Sequence, residues 1–386
     1  MKPLAPGKRR SAIGLSLIEL MVALAIGTVL LLGLVQVFAA SRTAYQTAEG
    51  MSRVQENARF AMDFLQRDVR MAGHFGCVND QAHWVKSAND LESHFPGGAA
   101  TSPTNFHVSI FGYEAANTAP EQVVTIGNAA TGWNPGLPAD IAALGPLPGS
   151  DIIELRYLAS EGVPVNGLAA TGGNTKVDFP SSRSGALTSD GVGSPNLFGV
   201  ADCAHADVFA AGAVNLAGGT LTSDGADFST KYTTQPSGQT LLYRAESMVY
   251  YVANNVSGVP ALFRARYDGV GYRAEELVEG VESLQFLYGR DSTPIIATET
   301  PPTGSITMQD VASELGADEN EWRRVGLVQV GLMVRSPDRA ATTQAAGEDQ
   351  QVRVLGVRFA PPASNDGFYR SSYEVSVALR NRLFGN

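Results

Sequence analysis

The sequence predicts an α+β protein, in which one long N-terminal α-helix leads into a large, mainly antiparallel, β-rich head. Three observations carry this reading. Residues 15–35, LSLIELMVALAIGTVLLLGLV, are predominantly apolar and carry one charge, Glu19. Residues 41–73 repeat apolar side chains at steps of 3 and 4, the period of one helix face. Beyond Gly73 the period shortens to 2, in runs divided by turn residues. The 41 Gly among 386 residues make about 11%, against an average of roughly 7%, so turns are frequent.

Composition bounds the function. At 44% hydrophobic and 17% charged, a chain of this length buries a sizeable core. Collagen-like, mostly disordered and disulfide-dense chains are excluded. The net charge of −10 disfavours nucleic acid as the main partner. That charge is uneven. Residues 1–14 hold Lys2, Lys8, Arg9 and Arg10 and no acid, leaving 24 basic and 38 acidic residues, a net −14, in the remainder.

The apolar run of 21 residues spans roughly 32 Å as a helix, enough to cross a bilayer. The basic flank before it favours a cytoplasmic N-terminus and places the bulk of the chain on the other side. A secretory signal peptide has a shorter apolar core and a small-residue cleavage site. A plain signal anchor accounts for the length and leaves Glu19 unexplained, since a charge in a spanning segment is costly and ordinarily functional. A buried core helix explains neither the basic cluster nor the charge step.

The amphipathic continuation places Met51, Val54, Ala58, Ala61, Leu65, Val69 and Ala72 on one stripe. Arg53, Glu56, Arg59, Asp63, Arg67 and Asp68 lie largely off it, and Gly73 reads as the stop. A helix from 15 to about 72 would reach roughly 87 Å. Gly27, Gly33 and Gly50 are the points where it can bend. Strands are expected at 122–126, 151–158, 241–252, 261–267, 282–288, 325–334, 352–359 and 373–379, with a short helix at 306–316. Two stretches, 79–150 and 161–238, are rich in small and turn-forming residues and read as ordered loops or an inserted subdomain.

The run Gly14-Leu15-Ser16-Leu17-Ile18-Glu19-Leu20 resembles the class III signal of type IV prepilins, with Leu15 where Phe is common. The stretch LQRDVRMAGHFGC, 65–77, resembles the end of the long helix in the PilW family of minor pilins. EGVESL, 279–284, and VALRNR, 377–382, resemble that family's head strands. The resemblance covers the first 80 or so residues and parts of the C-terminal third. The J-type minor pseudopilin of type II secretion shares parts of the same patterns.

The resemblance implies a type IV pilin-like fold and four parts. Residues 1–14 are a leader cut by the prepilin peptidase between Gly14 and Leu15, and Leu15 is then N-methylated. Residues 15–40 are the transmembrane and filament-core half of the helix. Residues 41–73 pack on the head, and residues 74–386 form a periplasmic head, loop-rich around 80–240. Glu19 becomes the fifth mature residue and pairs with a neighbouring subunit's terminal amine. The implied partners are other minor pilins, the major pilin, the peptidase, the inner-membrane assembly platform and the membrane itself. The implied role is to prime pilus assembly at or near the filament tip. The alternatives are the pseudopilin and a pilus-borne adhesin.

Cys77 and Cys203 are the only cysteines, and export to an oxidising compartment favours a disulfide between them. With His74 and His205 they also form a set that suits zinc, at spacings no standard finger has. His83, His94 and His107 read as surface or loop residues. The acidic turns Asp190-Gly191 and 224–227 read as solvated turns rather than calcium loops, and Asn255-Val256-Ser257 as a chance glycosylation sequon. No cofactor is expected. G-x-S-x-G, H-E-x-x-H and P-loop motifs are absent, so the chain reads as a non-enzyme, with a membrane-anchored hydrolase as the remote alternative.

Overall fold

A computed structural model describes residues 16–79, 91–95, 99–293, 303–340, 351–362 and 366–382. One continuous helix, Leu17–Met71, dominates it. At 1.5 Å per residue it is about 82 Å long. It ends where Ala72 turns extended at φ −50°, ψ 128° and Gly73 follows at φ +75°. The first half carries leucines, valines and Phe38 exposed on every side. It is long and apolar enough to cross a membrane by length and composition. The second half buries Gly50, Val54, Ala58, Ala61, Met62, Leu65, Asp68 and Val69 against the head. Full burial of each large apolar side chain contributes about 1.5–3 kcal/mol.

The buried stripe differs from the expected one at its start. Met51 is exposed and Gly50 is buried, because the head reaches the helix there through Ala340 and Ser336. Thr47 Oγ1 also donates to the Ala340 carbonyl at 2.8 Å. The contact line therefore runs through 50, 54 and 58, a step of four.

The helix packs on a four-stranded antiparallel sheet ordered Ile306–Asp310, Val281–Asp291, Val325–Arg339 and Phe368–Ala378. A larger sheet is centred on Leu241–Asn254, which pairs with Ile152–Leu158, Leu197–Ala201, Val163–Pro164 and Pro260–Tyr267. One core joins the helix to both sheets through residues such as Leu65, Tyr250, Phe286, Trp322 and Val330. Of the strand pairs described, all are antiparallel except Ala206–Asn215 with Leu91–Ser93 and Val357–Ala360 with Val123–Thr125.

Two expectations need correction, and the structure adds detail to a third. The 306–316 segment opens as a strand, Ile306–Asp310, and only Ala312–Leu315 is helical, because the edge of the 281–291 strand takes up its backbone groups. The 352–359 stretch is a hairpin, Val352–Val354 and Val357–Ala360, turned at Leu355 and Gly356, both at positive φ. Where described, the 80–240 region combines long loops with short strands. Gly167–Thr171, Asn174–Asp178 and Thr220–Ser223 extend the larger sheet, and Val177, Phe198, Phe209, Phe228 and Leu242 fill a separate core beneath it. Small residues at strand positions hid the period there.

Candidate functional site

Two features could act on partners: the exposed apolar half-helix and the junction that fixes it to the head. At the helix start, the Ser16 amide donates to the Glu19 carboxylate at 3.4 Å. Glu19 thus turns toward the N-terminal end of its own helix, where unpaired amides and the macrodipole favour a negative charge. Gly14 and Leu15 lie outside the described residues.

At the junction, sequence-distant segments converge on the last turns of the helix. Asp68 is buried; its Oδ2 accepts a hydrogen bond from Tyr250 Oη and one from Arg264 Nη1 at 2.9 Å. Arg264 in turn reaches Glu275 at 2.5 Å. Arg67 Nη2 donates to Asp190 Oδ1 at 2.8 Å. Burial first, then the Asp68 charge, pushes the Tyr250 phenol well above its ordinary value. Burial works to raise the Asp190 carboxyl, yet Arg67, Arg244 and Arg266 together hold it below the usual carboxylate range. Asn381 Nδ2 donates to the Arg70 carbonyl at 3.0 Å, capping the helix end.

A second set of contacts lies nearer the middle of the helix. Asn57 Nδ2 donates to the Glu279 carbonyl at 3.0 Å. Gly280, at φ +88°, follows, and a Cβ there would sit 2.9 Å from the Arg335 carbonyl. Glu282 then binds Arg370 at 2.6 Å and Arg335 at 3.2 Å. The head thus holds the helix at two levels, 279–284 near its middle through Asn57 and 377–382 at its end through Arg70. Asp68 was the residue missed. It falls three positions after Leu65 and seven after Ala61, on the edge of the buried stripe, and a buried Asp is recognisable only with its partners in view.

Cys77 and Cys203 are disulfide-bonded, 126 residues apart in sequence and 4.6 Å apart at Cα. Their sulfurs are thus not thiolate ligands, and His74 Nδ1 lies 2.8 Å from the Leu158 carbonyl oxygen. The bond ties the chain just past the helix to the 197–215 region. His94 is not a surface residue: it is largely buried, with Nε2 2.5 Å from Asp207 Oδ1. Glu92, His94 and Asp207 bring three metal-type ligands within 4.8 Å. Lys231 Nζ already stands 2.8 Å from Asp207 and 3.2 Å from Glu92, so an ammonium fills the role a cation would take. His107 is half-buried, and His83 lies outside the described residues. Asp190 is engaged with Arg67, and Asp227 with Thr175 and Ser229. Asn255 organises a hairpin turn, with Nδ2 on Glu276 and Glu279 and Oδ1 on the Ser257 and Val259 amides.

An apolar, membrane-length half-helix running without a break into a half that backs an antiparallel β-rich head is the build of a type IV pilin. The family models agree. The prokaryotic N-terminal methylation motif matches residues 9–35, and the Type IV Pilus-assembly protein W family, PilW, matches residues 249–381. The chain thus carries a PilW-like segment in its head and a methylation motif on an apolar helix long enough to cross a membrane. A solved structure, a type IV-like pilin from Thermus thermophilus, aligns over 86% of this chain and 98% of its own, with 10% identity and a TM-score of 0.32. No curated protein sequence matches the chain.

Proposed function

We propose that this protein is a minor pilin that helps prime assembly of a type IV pilus and occupies the filament at or near its tip. Cleavage after Gly14 frees the amine of Leu15, which is methylated. The 15–40 half-helix then leaves the membrane and packs in the filament core. Glu19, already turned toward the helix start, offers its carboxylate to a neighbouring subunit's amine. A carboxylate leaving water for hydrocarbon needs such a partner, and the pairing sets the register between subunits.

The observation that carries this reading is the rigid continuity of an exposed apolar half-helix with a half fixed into a head of about 300 residues. A compact body of that size is about 50 Å across, whereas packed helices stand about 8–10 Å apart. Heads so wide, repeated at every helix of a shaft, would collide. An end position gives the head room.

The test is piliation, twitching motility and protein secretion in a deletion strain complemented with wild type or Glu19→Ala. The expected result is loss of surface pili, restored by wild type and not by Glu19→Ala. Normal pili with blocked secretion would assign the chain to a type II secretion pseudopilus. Normal pili and secretion with weakened surface attachment would make it an adhesin.

A further inference from the structure

A recess of about 410 Å³ opens between the Ile110–Ala115 strand and the Ala312–Leu315 turn, with Glu114, Asn117, Thr118, Gln122, Asn134 and Ser313 on its wall. Behind it, oxygen atoms outnumber the protons that could join them. Thr118 Oγ1 has one proton and three oxygen neighbours: the Ala115 carbonyl at 2.7 Å, Asp151 Oδ1 at 3.2 Å and Glu114 Oε1 at 3.3 Å. The hydroxyl proton goes to the shortest contact, the carbonyl. Two carboxylate oxygens then face the hydroxyl lone pairs with nothing between them.

The charge is equally unmet. Glu114 and Asp151 are 5% and 2% exposed. The buried carboxylates Asp68, on the helix, and Glu154, Asp207 and Glu246, on strands, each pair with Arg or Lys. Asp291 is wrapped by hydrogen bonds from Thr293 and Thr303. Asp151 takes the Ala115 and Phe286 amides. Glu114 Oε2 has no hydrogen-bond partner of normal geometry, although the Ala312 amide approaches the carboxylate. Among the described residues no basic side chain pairs with Glu114 or Asp151. An unpaired buried carboxylate is among the costliest groups a fold can hold.

We infer that Glu114, Asp151, Thr118 and the Ala115 carbonyl form a site for a divalent cation, and specifically for calcium. All the donors are hard oxygens, two of them anionic. Thr118 Oγ1 stands 2.7, 3.2 and 3.3 Å from the other three oxygens, the spacing of neighbouring ligands around an ion held at about 2.3–2.6 Å. The set is irregular and mixes carboxylate, hydroxyl and carbonyl, which suits calcium; magnesium demands a near-ideal octahedron and keeps its waters. The polar recess supplies the entry path and room for water to complete the shell. With two carboxylates the site belongs to the weak class, with Kd about 10⁻⁴–10⁻³ M.

Trp133 lines the same recess and serves as an antenna. The detergent-solubilised full-length protein, stripped with EDTA, is titrated with terbium while Trp is excited, and then with calcium. Wild type should give saturable sensitised emission that calcium reverses, and calcium should raise its thermal midpoint. Glu114→Gln, nearly isosteric, should weaken binding by more than about tenfold. Trp133→Phe should keep the calcium-induced thermal shift and lose emission, which locates the ion even if the Glu114 variant folds poorly. Wild type without saturable emission would overturn the site. So would Glu114→Gln binding like wild type, or emission unchanged in Trp133→Phe. A thermal midpoint that follows pH and ignores calcium would replace the ion with a proton shared by the two acids.

Discussion

At the scale of single residues, Asp68 has the clearest energetic role. It is buried, it is charged, and it joins the helix to the head through Arg264 and Tyr250. Replacing it with Ala leaves the Arg264 guanidinium largely buried, with only the half-exposed Glu275 as counter-charge. Removing one partner of a buried pair typically costs about 3–5 kcal/mol. Asp68→Ala is therefore expected to lower the unfolding free energy of the detergent-solubilised protein by about that amount, read as a lower urea midpoint, and Asp68→Asn by less. Equal midpoints for wild type and Asp68→Ala would remove the joint from the energetics. Gly112 makes a second residue-scale case. A Cβ there would lie 2.1 Å from the Tyr288 hydroxyl and 2.9 Å from Trp322. Gly112→Ala forces two packed aromatics to move and should cost about 1–3 kcal/mol, read as a lower thermal midpoint. Gly14→Leu should block processing, because the peptidase must accommodate the residue before the cut. Identical gel migration of the variant and wild type would refute that cut.

At the scale of elements, the disulfide and the helix stripe work on the same joint. Cys77–Cys203 closes a loop of more than a hundred residues, so the chain-entropy model assigns it on the order of 4–5 kcal/mol at most. Cys77→Ser with Cys203→Ser should lose stability up to that limit. The same chain treated with reductant should behave alike, and no change in either would show that the bond is not structural. The stripe itself was legible: Val54, Ala58, Ala61, Leu65 and Val69 recur with the helix period and are buried. Met51 kept the period and is exposed, since periodicity says which residues share a face and not how far along the helix the head extends. The alternation at 373–379 was also legible, although the strand, Phe368–Ala378, begins five residues earlier, where FYRSS does not alternate. The 167–178 hairpin was not, because Gly, Ala, Asn and Thr at strand positions carry no alternation.

At the scale of the whole molecule, acid should loosen the head at its ion clusters. Burial alone would raise the Asp207 carboxyl, but His94, Lys231 and Tyr232 hold it below its usual range. Arg370 does the same for Asp366. A carboxyl depressed in the folded state contributes stability that is present above its unfolded value, about 3.9, and lost as pH falls through the folded value. Wild type should therefore exceed Asp207→Asn in thermal midpoint by a constant margin above about pH 4, and the margin should vanish at lower pH. A margin that persists in strong acid would mean that Asp207 acts through shape rather than charge.

The sequence by itself determined the parts whose physics is local. A 21-residue apolar run after a basic flank, a stripe at steps of 3 and 4, and alternating strands each declare themselves within a short window. The prepilin-like signal lies in the first of these windows. The tertiary structure decided everything that depends on residues meeting across the chain. It placed Asp68 under Arg264, set Asn381 against the helix end, turned His94 inward onto Asp207, and gathered Glu114, Asp151 and Thr118 behind one recess. A polar residue reads the same in sequence whether it is solvated or buried. Its burial, its partner and therefore its energy are properties of the packed fold.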